Sequence, residues 1–230
     1  MKNFLGKKLI AKHRETLRHK QVFALFFVFL LLGILPHSAQ AEDFSKGAKA
    51  FINSVTEEAI STLTVKNITK EERARIFRIF MKKHFSIFGM SKFVVGRHLR
   101  NATEVEKAEY FKLFEDLMVA SYSERFAKYS GEKLLMKNAV MRGKKDVIVN
   151  TVMVKVGSEA RPLKVDWRVR NNGGSFTIVD VMVEGISMIM TQKAEFSSFL
   201  RSSGGEFKEL IAEIKKRIKE FTKKNQSAVK

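Results

Sequence analysis

The feature that most constrains the fold is a change in the spacing of apolar residues at Gly131. Before this residue, apolar side chains recur every three or four positions, which is typical of amphipathic helices. After it they alternate with a period of two, which is typical of half-buried strands. The predicted strands are residues 133–142, 146–156, 161–170 and 175–183.

The third predicted strand shows this alternation most clearly. Its apolar residues are Leu163, Val165, Trp167 and Val169, and they alternate with Lys164, Asp166, Arg168 and Arg170. Residues 171–174, Asn-Asn-Gly-Gly, predict a hairpin turn, because these residue types tolerate positive φ. Consecutive strands joined by short turns predict an antiparallel meander.

Two capping boxes mark helix starts in the first part of the chain. Thr69 and Thr103 are each followed three positions later by a glutamate, Glu72 and Glu106. In this pattern the hydroxyl accepts from a backbone N–H and the carboxylate reaches back to the cap. The predicted helices are residues 44–63, a segment opened by Thr69, a segment from Thr103 to about Lys128, and two closing helices at about 186–202 and 205–221.

Helices, then four antiparallel strands, then helices predict the α+β class, with the helices packed on one face of a curved four-stranded sheet. The chain has no cysteine, so an exported domain of this length would be stabilised by its core without disulfides. No repeat, low-complexity stretch or linker interrupts residues 44–221. We therefore expect a single domain over residues 42–230.

The N-terminus has the three parts of a signal peptide. Seven lysines and arginines precede an apolar run from Val22 to Leu35, and Ala39-Gln40-Ala41 supplies a small-x-small cleavage pattern. The run of 14 residues is shorter than the roughly 20 that a spanning helix needs. We therefore predict that residues 1–41 are removed after Sec export, and that the mature chain begins at Glu42.

The mature chain remains strongly basic. Removing residues 1–41 takes away seven basic residues and one acidic residue, so the net charge falls from +19 to +13. Nucleic acid is the usual partner of so basic a chain, but export argues against it, and the charges are interleaved with acids. Anionic membrane surfaces or acidic proteins suit an exported protein better, and solvated helix and strand faces account for most of the charges.

Two sequence blocks carry a family resemblance. Residues 176–196, FTIVDVMVEGISMIMTQKAEF, run from a strand through Gly185 into an apolar helix, and residues 90–103, MSKFVVGRHLRNAT, precede the long helix opened by Thr103. In this order the two blocks resemble the MlaC-like periplasmic phospholipid-binding proteins, also called the toluene-tolerance auxiliary family. The resemblance covers the core of the mature chain.

The resemblance implies an NTF2-like cone in which sheet and helices surround an apolar cavity. It also implies a periplasmic carrier of a Gram-negative bacterium that binds phospholipid as cargo, without a cofactor. Such a carrier would move lipid between an outer-membrane lipoprotein complex and an inner-membrane MCE-type ABC transporter, and so maintain outer-membrane lipid asymmetry. Transient contact with a membrane surface would accompany this role.

Alternation within the predicted elements, joined to the resemblance, predicts which residues line the cavity. They are Phe93, Val94, Leu117, Met118, Tyr122, Val152, Met153, Trp167, Val181, Val183, Ile186, Met188 and Ile189. Several are methionines, whose flexible side chains conform to irregular partners. The headgroup would lie at the mouth of the cavity near cations, and Lys92, Arg97 and Arg100 are the predicted rim.

The chain offers little for catalysis or metal binding. His84 and His98 are the histidines of the mature chain, and without cysteine a structural zinc site is not expected. Asp166 and Asp180 lie on neighbouring predicted strands, and Asp180 shares its predicted face with Phe176 and Ile178. A buried carboxylate needs a partner, so we expect Asp180 to make a structural salt bridge or a backbone hydrogen bond.

Two other functions remain open from the sequence. One is an isomerase-type enzyme on the NTF2-like fold, which would need an acid such as Asp180 and a paired tyrosine donor in the pocket. The other is an adaptor of the ABC transporter that binds no lipid, with a filled core. Its docking surface would be a basic helical face such as Arg73, Arg75, Arg78 and Lys82. A lipid carrier differs from both because its interior must accept acyl chains.

Overall fold

A computed structural model describes residues 37–155, 157, 159 and 161–227, with side chains described between 43 and 224. The predicted signal peptide, residues 1–41, lies outside the described residues except for 37–41, which begin the first helix, and it stays a prediction. The described residues from Asp43 onward belong to one compact unit. Among the described residues, every helix is too short or too polar to cross a bilayer.

The described chain forms six α-helices, two 3₁₀ helices and five strands. The α-helices are α1 (His37–Leu63), α2 (Lys70–His84), α3 (Ile87–Val95), α4 (Glu104–Tyr122), α5 (Met188–Ser202) and α6 (Phe207–Ser227). The 3₁₀ helices are Gly96–Asn101 and Ser123–Lys128. The strands are β1 (Glu132–Arg142), β2 (Asp146–Lys155), β3 (Leu163–Asn172), β4 (Ser175–Val183) and β5 (Ile186–Ser187).

The two predicted capping boxes differ in how completely they form. At the start of α4, Glu106 donates its N–H to Thr103 Oγ1 at 3.2 Å, and its carboxylate accepts from the Thr103 N–H at 2.8 Å. At α2, Thr69 Oγ1 accepts from the Glu72 N–H at 3.1 Å. The Glu72 carboxylate instead accepts two hydrogen bonds from Arg75, at 2.8 and 2.7 Å. The competing guanidinium one turn later explains the difference.

The sheet confirms the antiparallel meander and corrects the number of strands. Its order is β1-β2-β3-β4-β5, with every pair antiparallel, so the α+β class is confirmed and the prediction of four strands is wrong. Glu184 and Gly185 both have positive φ and reverse the chain after β4. Ile186 and Ser187 then pair with β4 before α5 begins. The NTF2-like cone stays a prediction for this open sheet.

A bulge in β4 corrects one predicted face. Arg168 of β3 pairs with Asp180, but the next residue, Val169, pairs with Ile178, so Val179 is the extra residue. The bulge turns Ile178 toward the same face as Val169, whereas Asp180 shares the opposite face with Arg168. The prediction that Asp180 lies on the face of Phe176 and Ile178 is therefore wrong, because strict alternation cannot anticipate an inserted residue.

The core consists of two clusters, which we name by their composition. The sheet cluster joins α1 and α2 to one face of the sheet, and its buried residues include Ile52, Phe77, Phe80, Val147, Val149, Val169 and Ile178. The helical cluster joins α3, α4, α5 and α6 through residues that include Val94, Tyr110, Phe114, Phe196, Leu200 and Leu210. Ile87 and Met118 pack against both clusters. All strand residues of the sheet cluster come from one face, so α1 and α2 pack on that face. The packing of all helices on one face stays a prediction.

Candidate functional site

The core-facing side of the sheet changes from closed to open along the strands. One end carries the hairpin turns at 142–146 and 172–175, and we call it the hairpin end. There Val147, Val169 and Ile178 are completely buried. The other end carries the connection between β2 and β3, and we call it the loop end. There Met153 and Val183 are only half-buried and Leu163 is 37% exposed, although Val165 between them is buried.

The half-buried apolar residues toward the loop end form a continuous surface, which we call the apolar wall. Strand register places them on adjacent strands of the core-facing side, and they are Leu134, Met136, Met153, Leu163, Trp167, Val181 and Val183. Among the described residues, neither core cluster includes Met153, Leu163 or Val183. The wall therefore continues the core surface beyond the part that the helices cover.

One buried polar residue on the core-facing side, Thr151, makes its hydrogen bonds within the sheet. Thr151, which is buried, lies opposite Val165 on the core-facing side. Its hydroxyl accepts a hydrogen bond from the Trp167 indole Nε1 at 3.2 Å and donates one to the Val165 carbonyl. The indole N–H is thereby removed from the wall, and the ring of Trp167 is held in orientation. The surface presented at this position is hydrocarbon.

The end of α4 and the following 3₁₀ helix carry three apolar residues over the sheet cluster, and we call them the cover. Met118, Tyr122 and Phe126 pack against the sheet cluster. The Arg125 guanidinium lies 4.9 Å from the centre of the Tyr122 ring. Burial is the main cause that raises the pKa of the Tyr122 phenol; Glu195 adds to the rise and Arg125 opposes it. The cover is therefore apolar, and an exposed cation, Arg125, lies next to it.

The structure brings together six of the predicted lining residues. Met153, Trp167, Val181 and Val183 lie on the core-facing side of the sheet, and Met118 and Tyr122 pack over the sheet cluster. The four strand residues share one sheet face, which the sequence could predict from period-two alternation, and Met118 and Tyr122 come from the last turns of α4. The residues that were missed are Leu134, Met136, Leu163, Phe126 and Arg125, although alternation placed Leu163 with Trp167.

The other predicted lining residues lie elsewhere. Val94, Leu117 and Ile189 are buried in the helical cluster. Val152 pairs with Lys164, which places it on the opposite side of the sheet from Met153. The remaining three are Phe93 and Ile186, which are 44% and 63% exposed, and Met188, which is half-buried in the first turn of α5.

The predicted rim residues are exposed on α3 and the 3₁₀ helix after it. Lys92 Nζ lies 4.6 Å from the centre of the Phe88 ring, and Arg97 and Arg100 project from residues 96–101. Burial lowers the pKa of His98, and Arg97 and Arg201 lower it further. This cationic surface is the outer side of α3 and the following 3₁₀ helix, and the inner side of α3 packs in the helical cluster. Its role as a headgroup rim stays a prediction.

Asp166 and Asp180 both make contacts that stabilise the fold. Asp180 is buried, and its carboxylate accepts hydrogen bonds from the Ser187 hydroxyl at 2.5 Å and the Ile189 N–H at 3.2 Å. The expected backbone hydrogen bond is thus confirmed. Asp166 accepts from the Asn150 side chain at 2.8 Å and lies 3.3 Å from Lys164 Nζ. Asp180 joins β4 to the N-terminus of α5, where a carboxylate is favoured by the helix dipole.

The histidines and acids of the described residues do not assemble a metal site. No group of three or more potential ligands occurs in this part of the chain. His84 is buried between Phe51 and Phe80, and its Nε2 lies 3.0 Å from Glu58 Oε2. The hydrogen bond from Lys83, helped by His84, lowers the pKa of Glu58. This cluster ties α1 to α2.

Comparison with known proteins gives one family and two relatives. The model of the family described as MlaC protein matches residues 53–216. A curated relative is the intermembrane phospholipid transport system binding protein MlaC of Haemophilus influenzae, 21% identical over 113 residues. That alignment covers 48% of this chain and 53% of the relative, so the chain spans about half the length of the curated relative it matches.

A solved structure shows the same fold. It is the phospholipid-binding protein from Ralstonia solanacearum in complex with a phospholipid, with a TM-score of 0.66 and 15% sequence identity. The match covers 75% of this chain and 97% of that chain. The described architecture is therefore one that a protein of this class adopts.

Proposed function

Because this chain belongs to the MlaC family, we propose that it is a periplasmic carrier that binds a phospholipid by its acyl chains and moves it between membranes. The apolar wall is the observation that carries the proposal. It is a hydrocarbon surface on the core-facing side of a sheet, continuous with the core and only half-covered by helices. The relatives named above bind or transport phospholipids, which supports the same cargo here.

The cost of moving acyl chains through water explains why a carrier needs such an interior. Burying one methylene is worth about 0.8 kcal/mol, so two chains of roughly 30 methylenes lose about 24 kcal/mol on leaving a bilayer. A small exposed patch could not offset this loss. The chains must be surrounded, and we propose that they enter between the apolar wall and the cover formed by Met118, Tyr122 and Phe126.

In this proposal the cargo is held without covalent chemistry. The acyl chains would pack against the partly exposed side chains of Met153, Leu163 and Val183. The headgroup would stay at the mouth of the cavity, in contact with water. Arg125, beside Tyr122, is the cation that lies next to the cover, and we assign it to the headgroup region. Release would follow docking to a membrane complex that favours the emptied carrier.

Trp167 provides a specific test, because it is the single tryptophan of the chain and belongs to the apolar wall. Purified protein is stripped of lipid and mixed with phosphatidylglycerol or phosphatidylethanolamine vesicles, and tryptophan emission is followed. Lipid uptake should shift the emission to shorter wavelength. Solvent extraction and mass spectrometry of the reisolated protein should then recover the lipid. Failure of both readouts would rule out the carrier.

A matched pair of leucines localises the uptake. Leu163 is 37% exposed on the core-facing side, and Leu135 is 42% exposed on the opposite side, where it pairs with Val152. Leu163→Ser should reduce lipid uptake severalfold, whereas Leu135→Ser should leave it unchanged. Equal loss in both variants would indicate a general effect on stability and would exclude the apolar wall as the site.

Export and the two membrane partners are part of the proposal. N-terminal sequencing of the exported protein should find Glu42 as the first residue if the signal peptide ends at Ala41. Crosslinking in cells should then recover an inner-membrane MCE-type transporter complex and an outer-membrane lipoprotein complex. A protein retained in the cytoplasm would contradict this placement.

The structure gives no specific support to the isomerase hypothesis. Its candidate acid, Asp180, has both carboxylate oxygens engaged and lies on the side of the sheet away from the apolar wall. The adaptor hypothesis predicts that lipid uptake is absent while binding to the transporter is intact. The vesicle experiment with Trp167 therefore separates the adaptor from the carrier.

A further inference from the structure

A concave surface lies at the tips of the two hairpins, and the proposed lipid carriage does not use it. It has a volume of about 460 Å³. The residues that line it are Arg142, Lys144, Lys145, Asp146, Arg170 and Asn172. Five of the six are charged, and four of these five are cations. We call this surface the tip concavity.

The tip concavity is built on a fixed framework. Asp146 is buried, and its carboxylate accepts hydrogen bonds from Arg168 Nε at 2.8 Å and from Arg170 Nε at 2.7 Å. The two hairpins are also joined directly, because the Asn171 N–H donates to the Lys145 carbonyl at 2.8 Å. The Asn171 side chain in turn accepts from the Gly174 N–H at 2.7 Å. Both turns are therefore held in position.

The residues that line the tip concavity carry more positive than negative charge. Asp146 is the only acid that lines it, and that carboxylate is already shared by two arginines. Arg142, Lys144 and Lys145 are exposed, and none of them forms an ion pair with a side chain in the described ranges. Like charges on a concave surface concentrate their field and attract anions.

A basic surface on α6 provides a comparison. Lys215, Lys216, Lys219 and Lys223 line a concavity of the same volume along that helix, together with Glu220. Lys215 Nζ there is paired with Glu109 at 2.6 Å. The α6 surface is a row of lysines on one helix, whereas the tip concavity adds two arginines and joins three strands. Arginine and lysine together suit the several oxygens of a phosphate group.

We propose that the tip concavity is an anion site that binds a phosphate group. Arg142 supplies a planar guanidinium, and Lys144 and Lys145 supply ammonium groups on the same turn. Arg170, whose Nε and Nη2 donate to Asp146, adds positive charge beside them. The phosphate could be free in solution or part of a lipid headgroup, and the two sources share this chemistry. The site is at the hairpin end of the sheet, so it is separate from the apolar wall at the loop end.

Two charge-matched variants test the proposal. Lys144→Ser/Lys145→Ser removes two lysines from the tip concavity, and Lys216→Ser/Lys219→Ser removes two from the α6 surface. The full chain is titrated with inorganic phosphate by calorimetry and backbone NMR, and separately with phosphatidylglycerol and phosphatidylcholine vesicles by sedimentation. The phosphate arm reports a free anion, and the vesicle arm reports a headgroup.

The tip variant should weaken binding about tenfold or more in at least one arm, because each lysine near an anionic surface contributes several-fold to affinity. Amide shifts should concentrate at residues 142–146 and 170–174, and higher salt should weaken binding. The α6 variant should bind as the unmodified protein does. Equal losses in both variants, or no binding in either arm, would overturn the site. The Trp167 lipid-uptake readout should be unchanged in both variants, so the two proposals can fail separately.

Discussion

The two ends of the core-facing sheet surface are made from the same residue types but differ in their cover. At the hairpin end, helix α1 approaches so closely that a Cβ on Gly47 would lie 2.9 Å from the Phe176 ring. Phe176 also stacks on Phe51 with ring centres 6.0 Å apart. At the loop end, Met153 and Val183 are half-buried and Leu163 is 37% exposed.

This difference separates the part of the surface that stabilises the domain from the part that is available to a ligand. A sheet face that was buried throughout would contribute stability but would leave no room for hydrocarbon chains. A face that was open throughout would lack the contacts that hold α1 and α2 in place. The bulge at Val179 lies between the two ends, because Ile178 belongs to the first and Val181 to the second.

The largest effect is expected from truncating a residue of the closed end. Ile178→Ala should lower the free energy of unfolding by about 2–5 kcal/mol, because the side chain is completely buried and leaves a cavity. Leu163→Ala, at the open end, should cost less than about 1 kcal/mol, because the side chain already contacts solvent. Urea unfolding of both variants measures the difference. Similar losses would mean that the two ends do not differ in packing.

The close approach of α1 gives a second test of the closed end. Gly47→Ala should destabilise the domain by about 1–3 kcal/mol, since the new methyl group would press on the Phe176 ring. In a Phe176→Leu background the contact is relieved, and the same substitution should become neutral or stabilising through helix propensity. A double-mutant cycle in urea provides the coupling energy. Additive effects would contradict the contact.

Asp180 tests the connection between the bulge and α5. Asp180→Ala should cost about 1–3 kcal/mol, because the buried Ile189 N–H and the Ser187 hydroxyl lose their acceptor. Hydrogen exchange of the Ile189 and Met190 amides should accelerate at the start of α5. Asp166→Ala removes another buried carboxylate of the same sheet side without touching α5, and it should leave those amides protected. If hydrogen exchange of these amides were unchanged in Asp180→Ala, Asp180 would not anchor the start of α5.

Most of the fold could be predicted from spacing alone. The meander of β1 to β4 follows from period-two alternation and from turn residues such as Asn172 and Gly173, and the helix starts follow from Thr69 and Thr103. The sequence could not reveal β5, because two residues between Gly185 and Met188 carry no periodicity. It also could not reveal the bulge, because Val179 looks like any other residue of an apolar strand.

The site was predictable only where one element determines it. Trp167, Val181 and Val183 follow from alternation along their own strands, and all three lie on the apolar wall. Val94 and Ile189 show the same apolar character, but they are buried among other helices, which is a tertiary property. Arg125 was missed because one exposed arginine three residues after Tyr122 is not distinguishable from a solvated charge until the ring contact is seen.

The smallest expected effect concerns the Asp146 carboxylate, which accepts hydrogen bonds from Arg168 and Arg170 at the hairpin end. Burial alone would raise the pKa of the Asp146 carboxyl, but the hydrogen bonds from Arg170 and Arg168 outweigh burial and lower it. A carboxyl with a lowered pKa stabilises the folded state above its unfolded value of about 3.9, and this stabilisation is lost as the pH falls through the folded value. The free energy of unfolding should therefore decrease below about pH 4.

Asp146→Asn isolates this contribution. The variant should be less stable than the unmodified protein at pH 7, and its free energy of unfolding should change less between pH 5 and pH 3, because the group that takes up a proton is gone. Urea unfolding at several pH values measures both slopes. Glu132, whose pKa is lowered chiefly by the Ser130 N–H, is the control, since it caps a turn at the loop end. If Glu132→Gln flattened the slope as much as Asp146→Asn, the acid sensitivity would not belong to the hairpin end.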